Sequence, residues 1–197
     1  MKEEQFSPQD SIRLIQSMLE KSKQDISGND VYFLLWGWTT FAACTGQFVL
    51  KNIFHYPKHY LVWWIMVIAA IVSVFISFNQ SRTRTVKTYV GESMSILWTG
   101  MGISFFALSM ILTKLGWGTT IFPFFIMMYG LGTFVSGGLL RFRPFMIGGL
   151  TASAIAIVSA YLSYDYQMLM AALAILVSYL IPTYMLRRKT KYQHQTL

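Results

Sequence analysis

Apolar and polar positions along this chain alternate on the scale of a bilayer. Six apolar stretches, at about residues 31–50, 60–78, 94–112, 119–140, 145–162 and 168–185, are separated by short polar links. Each is close to the roughly 20 residues that carry an α-helix across hydrocarbon. Backbone N–H and C=O groups in that solvent must be paired within the segment, so the stretches are predicted as helices. The two-residue alternation of a membrane barrel is missing. The predicted fold is an all-α membrane protein. Six transmembrane helices form three hairpins, preceded by a short amphipathic N-terminal helix and followed by a basic tail at 187–197.

Residues 1–30 follow a different pattern. Ser7 suits a helix cap, Pro8 the first helical position, and Asp10 the returning side of a capping box. Ile12, Ile15, Leu19 and Ile26 then recur at helical spacing, with Leu14 and Met18 beside them. Arg13, Gln16, Glu20, Lys21 and Lys23 fill the remaining positions. The helix is expected to end near Ser27-Gly28, leaving Asn29-Asp30 to cap the first span. Its apolar stripe has three uses open to it: lying on the membrane, packing under the bundle, or receiving a partner. The opening thirty residues lack the basic stub and apolar core of a cleavable signal, so the first span is expected to serve as its own insertion signal.

Composition agrees with the pattern. Of 197 residues, 54% are hydrophobic and only 12% charged, too few polar groups to cover a soluble surface. The net charge of +8 would suit nucleic acid in a soluble domain, but the basic residues lie at the ends of apolar runs. Nucleic acid is therefore not an expected partner. With six spans both termini share a side. That side holds thirteen Lys and Arg, against Lys51, Lys58 and Lys114 on the other. The positive-inside rule puts both termini in the cytoplasm. The link from Asn79 to Ser93 carries Arg82, Arg84 and Lys87, has no Pro and only one Gly, and can extend the flanking helices.

The clearest packing motif lies in the fifth span. Gly148, Ala152, Ala156 and Ala160 recur every four residues, widened by Gly149 and Ser153. Such a smooth stripe lets another helix approach closely, either within the bundle or in a homo-oligomer seam. Gly130, Gly132, Gly137 and Gly138 in the fourth span either let neighbours pack closely or loosen the helix for a gating motion, packing being the favoured reading.

Chemistry is sparse. No Asp, Glu, Lys, Arg or His falls near the centre of a span, although intramembrane ionisable groups mark proton relays and ion paths. Intramembrane proteolysis and haem ligation both lack their residues. His55 and His59 are four apart, but Pro57 lies between them and no further ligand is near, so no metal is predicted. The lone Cys44 reads as a packing residue. No cofactor is implied, and the chain is not expected to be an enzyme. Arg141-Phe142-Arg143-Pro144 reads as a short basic turn that could meet an anionic headgroup.

Two segments, Ser11-Ile12-Arg13-Leu14-Ile15-Gln16-Ser17-Met18-Leu19-Glu20 and Tyr32-Phe33-Leu34-Leu35-Trp36-Gly37-Trp38, resemble the opening of a family of small multi-pass proteins of Bacteroidota. The resemblance implies a bacterial inner-membrane location and carries no functional residue. The leading expectation is a non-catalytic membrane protein whose cytosolic face binds a protein partner or lipid. That face comprises Ile12, Ile15, Leu19, Arg82, Arg84, Lys87, Arg141 and Arg143. The alternative is a small transporter or channel component for a neutral or lipid-like solute. Its path would be lined by hydroxyls such as Thr39, Thr40, Thr45, Ser73, Thr99, Ser104, Thr133 and Ser136, together with Gln47.

Overall fold

Hydrocarbon as solvent leaves the helix as the one economical way to pair the backbone of each apolar stretch, and the computed structural model contains six such helical spans. It describes the backbone of residues 8–83 and 89–195, and side chains over 30–79 and 89–188. The chain is a multi-pass membrane protein with no strand among the described residues. Its helices are α1 (Pro8–Asn52), α2 (Trp64–Thr83), α3 (Tyr89–Lys114), α4 (Ile121–Leu139), α5 (Arg143–Ala160), α6 (Tyr164–Ile175) and α7 (Ile181–Gln195). Between α6 and α7, Leu176–Leu180 forms a π turn, so that the three pieces make one sixth span, Tyr164–Arg188.

The first helix differs from expectation. No break occurs at Ser27-Gly28-Asn29-Asp30; α1 runs for 45 residues through it. A glycine inside a helix costs about 1 kcal/mol, and short polar residues such as Ser, Asn and Asp less than that. Without a proline, the apolar run that follows carries the helix through. Asp30 is not a free cap either. It is 7% exposed and lies beside the Arg187 guanidinium of the sixth span, at 3.3 Å. The tail is helical too, since α7 continues to Gln195. The expected extensions of the second link are present as α2 to Thr83 and α3 from Tyr89.

Spans 1, 4, 5 and 6 make the core. Spans 4 and 5 form the tightest pair, with a reason in the sequence. Phe122, Ile126, Gly130, Thr133 and Gly137 place one buried residue on each turn of α4. A Cβ added to Gly130 would lie 2.9 Å from the Gly149 oxygen, and one added to Gly149 would lie 2.5 Å from the Gly130 oxygen. The two backbones touch where both side chains are absent. Spans 2 and 3 stand on the flanks, α2 against α1 and α3 mainly against α4. Their apolar residues, among them Ile68, Ile71, Phe75, Ile96, Ile103 and Phe106, face outward, as a lipid solvent requires.

Span 6 lies antiparallel to span 1, and the two are tied at both ends. On the side that holds the termini, the proximal side, Asp30 pairs with Arg187. On the distal side Lys51 pairs with Asp165, its Nζ sitting 4.6 Å from the Tyr164 ring centroid. Reversing one proximal charge, by Asp30→Arg or Arg187→Asp, is expected to lower the thermal midpoint in detergent. The double exchange is expected to recover most of that loss. A double exchange no more stable than the worse single variant would show that the two residues do not act as a pair.

Candidate functional site

The residues that the sequence nominates for partner contact divide into two sets. Ile12, Ile15 and Leu19 lie on α1 ahead of the membrane, where the backbone is described and the side chains are not. Arg82 lies in the last turn of α2, also as backbone only, and Arg84 and Lys87 fall outside the described residues. Arg141 is exposed in the turn between α4 and α5, with a left-handed φ of 50°, and Arg143 is the exposed first residue of α5. All the described positions lie on the proximal side.

The helical continuity of α1 sets the register of its stripe. At about 100° per residue, Ile12, Ile15, Leu19 and Ile26 share a sector with Phe33, Gly37 and Cys44. Phe33, Gly37 and Cys44 are buried against the rest of the bundle. By register alone, the stripe positions fall in the same helical sector as those three residues. From Asp30 opposite Arg187, antiparallel register puts Gln195 abreast of about Ser22. Ile12, Ile15 and Leu19 lie beyond the end of α7.

The packing stripe of span 5 sits inside the bundle for three of its four members. Gly148, Ala152 and Ala156 are buried, whereas Ala160 is exposed as the last residue of α5. Gly148 faces span 6: a Cβ there would lie 2.6 Å from the Ser178 oxygen.

Three features of the interior escape the sequence. The first is a ring assembly around Tyr179, which is 2% exposed. Its ring lies 5.3 Å from Phe33, 5.6 Å from Trp98, 5.7 Å from Tyr129 and 6.4 Å from Phe145, one ring from each of spans 1, 3, 4 and 5. Edge-on geometry dominates, as ring quadrupoles favour. The second is a distal polar network. Gln47 is 2% exposed, accepts from Trp63 Nε1 at 2.6 Å and donates to Tyr164 Oη at 3.0 Å. Its Nε2 also stands 3.2 Å from His59 Nδ1. The indole N–H can only donate, which fixes the amide with its oxygen toward Trp63. The third is the π turn, for which Pro182 inside the sixth span was the available signal.

The hydroxyls that a solute path would use are largely committed. Thr39, Thr40, Thr45, Thr133 and Ser136 each donate to the carbonyl four residues back in their own helix. Thr40 also meets Tyr129 Oη at 3.0 Å, and Ser136 accepts from Trp98 Nε1 at 3.2 Å. No group of three or more potential metal ligands occurs among the described residues. No protein family, curated protein or solved structure matches the chain.

Gln47→Leu keeps volume and removes both donor and acceptor. Trp63, Tyr164 and His59 each lose a partner, and an orphaned buried polar group costs about 1–3 kcal/mol. The variant is expected to unfold at correspondingly lower denaturant, with altered Trp63 near-ultraviolet dichroism. Unchanged stability would mean that lipid headgroups or water already satisfy these groups.

Proposed function

We propose that this chain is a non-catalytic protein of a bacterial inner membrane that holds a cytosolic partner through the helical extension of span 1. The observation that carries the reading is the length of α1. Residues 30–52 suffice to cross the bilayer, so residues 8–29 project about 33 Å past the first span as the same helix. A straight continuation stands off the membrane, which disfavours the surface-lying use of the stripe. The excess of Lys and Arg on the proximal side supports a cytoplasmic location for both termini.

The occupant that suits Ile12, Ile15 and Leu19 is a helix of a separate protein. The extension balances Arg13, Lys21 and Lys23 against Asp10, Glu20 and Asp25, so the complementary segment is recognised through its apolar face. A solute carrier finds less support, since Thr39, Thr40, Thr45, Thr133 and Ser136 return to their own helices.

A photocrosslinker placed at Ile15 in native membranes tests this. The expected product is one discrete protein adduct of a different chain, lost with Leu19→Asn. The thermal midpoint of Leu19→Asn should match the parent, because the stripe lies outside the bundle. Adducts with lipid alone, or with copies of this chain, would overturn the reading.

A further inference from the structure

Span 2 lies on the flank of the bundle, and its distal end is held through the link that precedes it. Within that link His59–Trp63 forms one 3₁₀ turn against span 1. Both ends of the turn, His59 and Trp63, reach the Gln47 amide.

The bonding capacity of that amide is fully assigned. Trp63 Nε1–H can only donate, so Gln47 Oε1 receives it at 2.6 Å. The amide nitrogen then faces the other two partners with two hydrogens and nothing to accept with. One is donated to Tyr164 Oη at 3.0 Å and the other to His59 Nδ1 at 3.2 Å. Nδ1 must therefore be bare, with the ring neutral and its proton on Nε2. An imidazolium carries N–H at both nitrogens. Its Nδ1–H would meet the Gln47 N–H, donor against donor. Turning the amide over would only move the conflict to Trp63. Gln47 is 2% exposed, so a displaced amide N–H has no ready access to water.

The charged neighbours offer the imidazolium no partner. Span 1 presents Lys51, one turn after Gln47, and the link carries Lys58 and His55 along with Tyr56 and Tyr60. The Tyr60 ring stands edge-on to His59 at 6.1 Å. Span 6 presents Tyr164 and Asp165. Asp165 is the one carboxylate among the described residues on the distal side, and Lys51 already holds it. Span 2 has no ionisable side chain between Trp64 and Asn79.

We propose that His59 is a proton-sensitive tie. It bonds Gln47 only as the neutral ring, so acid on the distal side weakens the hold of spans 1 and 6 on the link and on the distal end of span 2. Histidine is the one side chain of the four whose charge changes between about pH 5 and pH 8. Folding requires the bare Nδ1, whereas the unfolded chain takes up the proton without losing a bond. The contribution is present while the ring is neutral and is lost as the pH falls. The Trp63 and Tyr164 bonds keep their polarity throughout. The proposal is independent of the partner reading, since every residue in it lies on the distal side.

Thermal midpoints in detergent at about pH 8 and about pH 5 test this. His59→Phe keeps a ring and removes the bond. Its cost relative to the parent is expected to be about 2–4 °C at the higher pH and close to zero at the lower. In a Gln47→Leu background, where His59 has no bond to lose, the same replacement should cost equally at both. An equal cost at both pH values without Gln47→Leu overturns the proposal. So does a pH dependence that survives Gln47→Leu. Nitrogen NMR reads the same bond without breaking it, in a chain left with His59 as its sole histidine by His55→Asn and His194→Gln. Near the higher pH the ring is expected to carry its proton on Nε2 alone, and a proton on Nδ1 would overturn the proposal.

Discussion

Lipid tails are as apolar as leucine, so helices already inside a bilayer gain little by covering one another's apolar side chains. What holds this bundle is the distance of closest approach. Dispersion and weak Cα–H···O contacts grow only when backbones nearly touch, and that requires glycine on the touching faces. Gly130 and Gly149 meet this condition reciprocally between spans 4 and 5, and Gly148 meets it against the Ser178 backbone of span 6. Gly37 in span 1 instead makes room for the side chains of Tyr179 and Leu180. The contacts converge on spans 5 and 6, which accordingly contain most of the deeply buried small residues.

From that constraint the rest of the arrangement follows. Close approach at the glycines leaves room elsewhere for large groups. On the proximal half this room is filled by Phe33, Trp98, Tyr129, Phe145 and Tyr179, and on the distal half by Phe122, Ile126 and Met168 against alanines. Most polar groups sit where they can be satisfied, although Ser73 Oγ, Ser159 Oγ and Gln167 Oε1 are buried with no hydrogen-bond partner. Asp30 and Arg187 close one end of the span 1–span 6 pair, and Lys51 and Asp165 close the other. Spans 2 and 3 have few such contacts and remain on the outside. Gly100 and Gly102 in span 3 have open space where a side chain would be, so glycine as such does not make a contact.

Much of this was legible in the sequence. Apolar length alone located six spans, because a bilayer imposes one length on every crossing. The spacing of Gly148, Ala152 and Ala156 located the inner face of span 5. Other features depend on partners distant in sequence. Asp30 reads as a cap until Arg187 is seen beside it, and Gln47 is one polar residue among many until Trp63 and Tyr164 converge on it. Ser27-Gly28-Asn29 has the composition of a helix end, yet local propensity is too weak to stop a helix that continues into an apolar run. Pro182 signals a disturbed helix, but its resolution as a π turn depends on Gly148 in another span.

The chain thus appears as a compact anchor with one long rod. The interior is occupied by rings and by hydroxyls that mostly bond their own helices, and the first helix continues past the membrane. The most direct test of the governing constraint is a matched set of Gly→Ala variants, each unfolded reversibly in mixed micelles. Gly130→Ala, Gly148→Ala and Gly149→Ala should each lose about 1–3 kcal/mol through overpacking. Gly100→Ala and Gly102→Ala should be neutral or gain up to about 1 kcal/mol from helix propensity. Equal effects in the two sets would contradict the claim that close backbone approach holds this bundle together.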